Sequence, residues 1–162
     1  MIIKNLLTIL SVLFLVSCGF KPIYKVAETQ QDLLAFEISF NNPNQISSNI
    51  KDEINQILIS DRKSNYNINM TVEEDRVPLI INTNGTVAKY RVSVIISFVL
   101  REIENKNIII EDSVRGHAQY DVTSSEIDNE DKRIQMVSSA TNDAMQIMMS
   151  KILSSISANN DY

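Results

Sequence analysis

Cys18 is the only cysteine in the 162-residue chain, and its position gives it a chemistry. It stands directly behind Leu15-Val16-Ser17, at the end of an apolar run from Leu6 to Val16, with Lys4 ahead of the run. A basic start, an apolar core and a small residue before the cut make a secretory signal. The core is too short to cross a bilayer, which takes about 20 residues. A thiol at the cut is the acceptor for an acyl chain in a bacterial lipobox. The pattern therefore predicts removal of residues 1–17 and a covalent lipid on Cys18. The plainer alternative is an ordinary signal peptide with an incidental cysteine, but the cysteine lies at the cut and nowhere else. Gly19 follows it, where an Asp commonly signals inner-membrane retention in enteric bacteria. The expected address is the periplasmic side of the outer membrane.

The remaining residue types offer little else. Once Cys18 is acylated no thiol is left, so neither a disulfide nor a thiolate metal site is expected. The single histidine, His117, falls on the polar side of an expected strand. One histidine without cysteines or a nearby carboxylate cluster does not make a metal site. A Ser-His-Asp triad assembles only in space. There is, however, no Gly-x-Ser-x-Gly elbow, phosphate loop or HExxH. The acidic stretch Asp128 to Asp131 lacks the glycine and spacing of a calcium loop. The chain reads as a non-enzyme with no cofactor beyond the lipid.

The expected cut removes one base, Lys4, and no acid, leaving 145 residues with 14 bases against 20 acids, a net charge of −6. That length suits one domain with a real core. That charge argues against nonspecific binding to nucleic acid or to an anionic membrane surface.

The elements that must position any site follow from periodicity. Residues 18–31 carry Pro22 and little pattern and read as a tether. From Leu33 to Phe40, Leu34, Phe36, Ile38 and Phe40 share one face of a strand. After the turn cluster Asn41-Asn42-Pro43-Asn44, Ile46, Ile50, Ile54, Ile57 and Leu58 recur at helical spacing, predicting an amphipathic helix over about 44–60. Its polar side is not basic, so packing on a sheet is favoured over a membrane surface.

Tyr66, Ile68, Met70 and Val72 alternate with polar residues as a half-buried strand. Asn84-Gly85 signals a hairpin, with a return strand Val87 to Leu100 whose even positions are apolar. A two-residue turn there pairs Ile81 with Ala88 and Leu79 with Tyr90. That register requires a phase change, expected as a bulge at or just before Pro78. Beyond Glu104-Asn105-Lys106, Ile108, Ile110, Val114, Ala118 and Tyr120 form one face of a fourth strand.

Thr123-Ser124-Ser125-Glu126 then offers caps for a long helix, through Thr123 with Glu126 or Ser125 with Asp128. Its stripe runs through Ile134, Val137, Thr141, Met145, Met148, Ile152 and Ile156, with the methionines as core filling. The order β-α-β-β-β-α predicts an α+β two-layer sandwich, two helices packed on one face of a four-stranded sheet. Residues 32–157 form its single domain, and residues 158–162 are expected to fray.

The heptapeptide Cys18-Gly19-Phe20-Lys21-Pro22-Ile23-Tyr24 resembles the opening of mature LPS-assembly lipoproteins (LptE) of the alphaproteobacterial kind. Asn84-Gly85-Thr86-Val87-Ala88-Lys89-Tyr90 resembles that family's turn-and-strand signature, and the long last helix with its acidic start also fits. The resemblance implies a two-helix, four-stranded fold. It also implies an outer-membrane lipoprotein held within the large β-barrel of the LPS translocon (LptD-like), where it supports barrel assembly and LPS insertion into the outer leaflet. Family members contact LPS through bases near the sheet loops. Here the turn carries Thr83 and Asn84 and the mouth of the last helix carries Ile127, so Lys89, Arg91 and Arg76 become the candidates. The alternative is an unrelated periplasmic-facing lipoprotein binding a small ligand or an envelope protein.

Overall fold

The computed structural model describes residues 35–58, 60 and 64–160. Cys18, the opening heptapeptide and the expected signal and tether lie outside the described residues.

Four strands form one sheet in the order β1-β2-β3-β4. They are β1 (Phe36–Phe40), β2 (Tyr66–Ile81), β3 (Val87–Glu102) and β4 (Ile108–Asp121). β2, β3 and β4 are an antiparallel meander, and β1 joins the outer side of β2 in parallel. A parallel neighbour needs a crossover, and α1 (Ser48–Ile57) supplies it. The second helix, α2 (Glu126–Asn160), is 35 residues long. Both helices cover the same sheet face, giving the expected α+β sandwich in the expected element order.

The core lies between the layers. Ile50 and Ile54 of α1 and Val137, Ala140, Met145, Met148 and Ile152 of α2 are buried against Ile68, Met70, Val94, Ile96, Phe98 and Leu100. Burying one such side chain contributes about 1.5–3 kcal/mol. The two helices are also tied by polar groups. Glu53 of α1 accepts hydrogen bonds from the Ser138 hydroxyl and the Asn142 amide of α2.

Several boundaries differ from expectation. α1 begins at Ser48 rather than near 44, because Ser47 is extended and the chain before it makes a separate turn, closed by the Gln45 N–H on the carbonyl (3.0 Å) of Asn42. Its side-chain amide donates to the Val72 carbonyl (2.8 Å) and its Oδ1 accepts from the Val72 N–H (3.2 Å), as a further strand residue would. β3 runs on to Glu102. Ile108 does not share the apolar face of β4. A register shift after Leu100 sets it opposite Arg101, where it is 53% exposed. α2 is helical to Asn160, past the expected end at Ser157. It is capped by Ser125, whose Oγ accepts from the Asp128 N–H at 3.2 Å, while Thr123 pairs instead with Asn129.

The hairpin register also corrects the expectation. β2 and β3 pair without interruption from Tyr66–Glu102 to Pro78–Tyr90, and the irregularities fall after Pro78, around Ile80. The loop is longer than two residues. Asn82 N–H donates to the Thr86 carbonyl (2.8 Å) and Gly85 N–H to the Asn82 carbonyl (3.0 Å), with Gly85 at φ 83°. Pro78 is harmless for a different reason. The Val72 N–H points away from β3, toward the side where Asn42 meets it, and positions 74, 76 and 78 repeat that direction. The missing N–H of Pro78 therefore faces an open edge and costs no ladder bond.

Both sheet edges are blunted by side chains. Asn42 closes β2 just past the end of β1. On β4, Asp112 Oδ1 accepts from the Ser113 N–H (2.7 Å) and Asp143 of α2 accepts from the His117 N–H (3.1 Å). These contacts remove edge donors that another chain could otherwise recruit.

Candidate partner interface

The three candidate bases do not converge. Along β2 and β3 successive side chains alternate between the helix-bearing face and the open face. Lys89 and Arg91 lie on the open face, and Arg76 lies on the other. Arg76 sits 4.8 Å above the Tyr90 ring, with Nη1 3.5 Å from the Tyr120 hydroxyl. Tyr90 and Tyr120 pack at 5.6 Å between ring centroids. This cluster exists because α1 is only 10 residues long and covers β2 no further than Val72. Past Val72, the helix-side positions Glu74 and Arg76 are exposed.

Arg133 of α2 reaches into the uncovered space. It forms ion pairs with Glu74 (2.6 Å) and Glu130 (2.7 Å). The Glu130 hydrogen bonds and then the Glu74 charge hold its guanidinium protonated above the usual value, and Arg133 in turn lowers the Glu130 carboxyl.

On the open face, Lys89 pairs with Asp121 at 3.2 Å. Arg91 stands between Val77 and Gln119 in the register and makes no ion pair among the described residues. His117 is exposed, as expected, and its Nδ1 lies 3.0 Å from the Ser93 Oγ. Asp75 flanks Ser93 on the side away from His117. Ser93 is thus the middle of the row, whereas a triad needs the imidazole in the middle. Among the described residues, no group of three or more metal-ligating side chains occurs and no helix is long and apolar enough to cross a membrane.

A cleft of about 450 Å³ opens at the other end of the sheet, lined by Tyr66, Glu102, Asn107, Ile108, Ile109, Ile156 and Asn159. Glu102 is its one acidic or basic side chain.

Sequence reasoning missed two features of α2. The first is its seat on β4. A Cβ on Gly116 would overlap the carbonyl oxygen of Ala140 and press on the Ala144 nitrogen, so glycine is what lets strand and helix approach. The second is the charge distribution along α2. Between Gln135 and Asn160 the only charged residues are Asp143 and Lys151. Lys151 is spent on Asp112 at 2.5 Å and Asp143 on the His117 N–H. Simple counting would have found the two charges. Their partners required the fold.

No family model and no curated protein sequence matches the chain. Solved structures do match. A candidate lipoprotein from Caulobacter crescentus aligns with a TM-score of 0.59 at 9% identity, covering 76% of this chain and 91% of that one. An uncharacterised lipoprotein B from Nitrosomonas europaea aligns with a TM-score of 0.53 at 14% identity, covering 74% and 83%. The chain therefore shares the fold of these bacterial lipoproteins, two helices laid on one face of a four-stranded sheet.

Proposed function

We propose that the protein is an outer-membrane lipoprotein, anchored through Cys18, that serves as a non-catalytic subunit and plug of the LPS translocon β-barrel. The observation that carries the reading is the coincidence of two features. One is a lipobox cysteine followed at once by Gly19-Phe20-Lys21-Pro22-Ile23-Tyr24. The other is a following domain whose fold is shared with solved bacterial lipoproteins.

The physical chemistry agrees. The lumen of a wide barrel is polar, and a plug must offer it a rigid, hydrogen-bonding surface. The open sheet face does so with Ser97, Ser113 and Gln119 among its charges, and Ser97 and Ser113 bond to each other at 3.1 Å. One acyl chain gives marginal anchoring, at about 0.8 kcal/mol per buried CH₂, whereas two or three hold a domain at the membrane. In this reading Arg91, with Lys89 beside it, is the first contact for LPS phosphates. Arg76 is the second, from the other face.

Depletion of the protein in living cells tests the role. The expected result is loss of correctly assembled translocon barrel and a fall in newly delivered surface LPS. Unchanged levels of both would remove the reading.

A further inference from the structure

We propose that the cleft at the far end of the sheet is a binding site for an organic cation, an ammonium or guanidinium group carried on a short methylene stem. It is independent of the translocon reading. It also lies away from Lys89, Arg91 and Arg76, which stand toward the hairpin end of the sheet.

The first observation is a pair across two strands. Tyr66 and Glu102 are register partners on β2 and β3, so their side chains leave the sheet side by side on the helix-bearing face. A ring face and a carboxylate are both electronegative, and together they hold organic cations. Glu102 is fixed where it stands. Asn105 Nδ2 donates to its Oε2 at 3.1 Å, and its own N–H donates to the Asn107 carbonyl at 3.0 Å. Among the described residues Glu102 makes no ion pair.

The second observation is what roofs the cleft. The last turn of α2 supplies Ile156 and Asn159. The C-terminal end of a helix carries partial negative charge and four carbonyls without intrahelical partners. A base near the end commonly answers both. Here the last turn has none, and no Lys or Arg follows Lys151 in the sequence. A carboxylate, a ring and a helix C-terminus thus border one space whose lining holds no base.

The third observation is shape. Leu100 pairs with Ile110 and Arg101 with Ile108, which leaves Ile109 as the extra residue of a bulge. Bulges often stand beside sites because they re-aim side chains. Ile109 and Ile156 give the wall apolar contact for a methylene stem. The volume, about 450 Å³, is that of a small-ligand site. A phosphate would meet only like charge there. A metal ion would find one carboxylate and, among the described residues, no cluster of ligands.

The same chemistry has two sources. One is a free amine. The other is a base of this chain outside the described residues, Lys21, Lys25, Arg62 or Lys63. The test uses the full, lipidated chain in nonionic detergent, with n-butylguanidinium as the probe and saturation-transfer NMR as the readout. Butylurea, of the same shape without the charge, is the control probe. The titration is repeated on a chain carrying Lys21→Gln, Lys25→Gln, Arg62→Gln and Lys63→Gln. Binding of butylguanidinium but not butylurea by the wild type assigns the site to a free cation. Binding only after the four substitutions assigns it to the chain's own base. Binding by neither chain, or equal binding of butylurea, overturns the proposal.

Glu102→Gln should weaken the probe at least about fivefold in whichever chain binds it, as loss of a half-exposed ion pair would. Glu111→Gln, on the open face, should leave it unchanged. Asn159→Lys is an independent arm, since it brings a base to the helix end. It should keep the melting midpoint and displace the probe. Undiminished binding by either Glu102→Gln or Asn159→Lys overturns the assignment of the cleft.

Discussion

Gly116 of β4 faces the backbone of Ala140 on α2 so closely that no side chain fits between them. The contact seats the long helix on the strand and fixes the spacing of the two layers there. Gly116→Ala forces the helix away from the sheet, because the obstruction is backbone and cannot rotate aside. Overpacking of this kind costs about 1–3 kcal/mol, and the upper end is expected. Thermal unfolding followed by circular dichroism should show a midpoint lowered by roughly 5–10 °C. A variant that melts with the wild type would mean that α2 does not sit where it is described. Gly85→Ala is the control, since nothing lies within 4 Å of the added carbon. Its cost, about 1 kcal/mol, comes from the left-handed φ of 83° alone.

Asp112 gives a pH signature. The Lys151 ammonium, then the Ser113 N–H, hold its carboxyl below the usual carboxylate range. A carboxyl lowered on folding stabilises the native state above its unfolded pKa, near 4, and loses that contribution as pH falls through the folded value. The difference in melting temperature between wild type and Asp112→Asn should therefore be widest near neutrality and should close below about pH 4. A difference that does not change with pH would show that the pair is not formed.

How far the sequence reveals these features differs from element to element. The alternation of Ile68, Met70 and Val72, and the spacing of Ile50 and Ile54, identify their strand and helix because each pattern is local and both layers bury one face. Register past Pro78 is not local. It depends on the loop, which closes at Asn82 and Thr86 rather than in two residues and so moves the phase change to Ile80, after Pro78, while β1 ending at Phe40 leaves the Pro78 nitrogen facing an open edge. Gly116 escapes a reading of apolar faces because it has no side chain, and its meaning lies wholly in what Ala140 does on another element. Of the candidate bases, Lys89 and Arg91 are legible as neighbours from their two-residue spacing. The separation of Arg76 onto the opposite face follows from the pairing of β2 with β3.

Asp143 guards the edge of β4. Because Asp143 is exposed, its hydrogen bond to the His117 N–H is a small stability term, about 1 kcal/mol or less. Its removal frees a donor in the middle of an edge strand. Asp143→Ala is expected to lower the melting midpoint by only a few degrees while raising the rate of aggregation at high concentration, measured by light scattering. Unchanged aggregation would assign the edge protection to other groups.

Lys89 and Arg91 should matter for partners rather than for folding. The Lys89–Asp121 pair is exposed, with side chains 31% and 74% accessible, and such pairs contribute about 0–1 kcal/mol. Lys89→Glu combined with Arg91→Glu should leave the melting midpoint within a few degrees. The same variant should weaken retention of purified LPS in a pull-down, and the loss should disappear with dephosphorylated LPS. Equal retention by wild type and variant would make both bases simple solvated charges.

The central claim is that this protein is a lipidated subunit of a membrane barrel. Its most direct test is the mass of the native complex. The full chain, carrying a C-terminal affinity tag, is extracted from its own outer membranes in mild detergent and weighed intact. The account predicts one copy of this chain beginning at an acylated Cys18, bound to one copy of a large β-barrel protein. Recovery of the chain alone, with no barrel attached or with an unmodified Cys18, would contradict it.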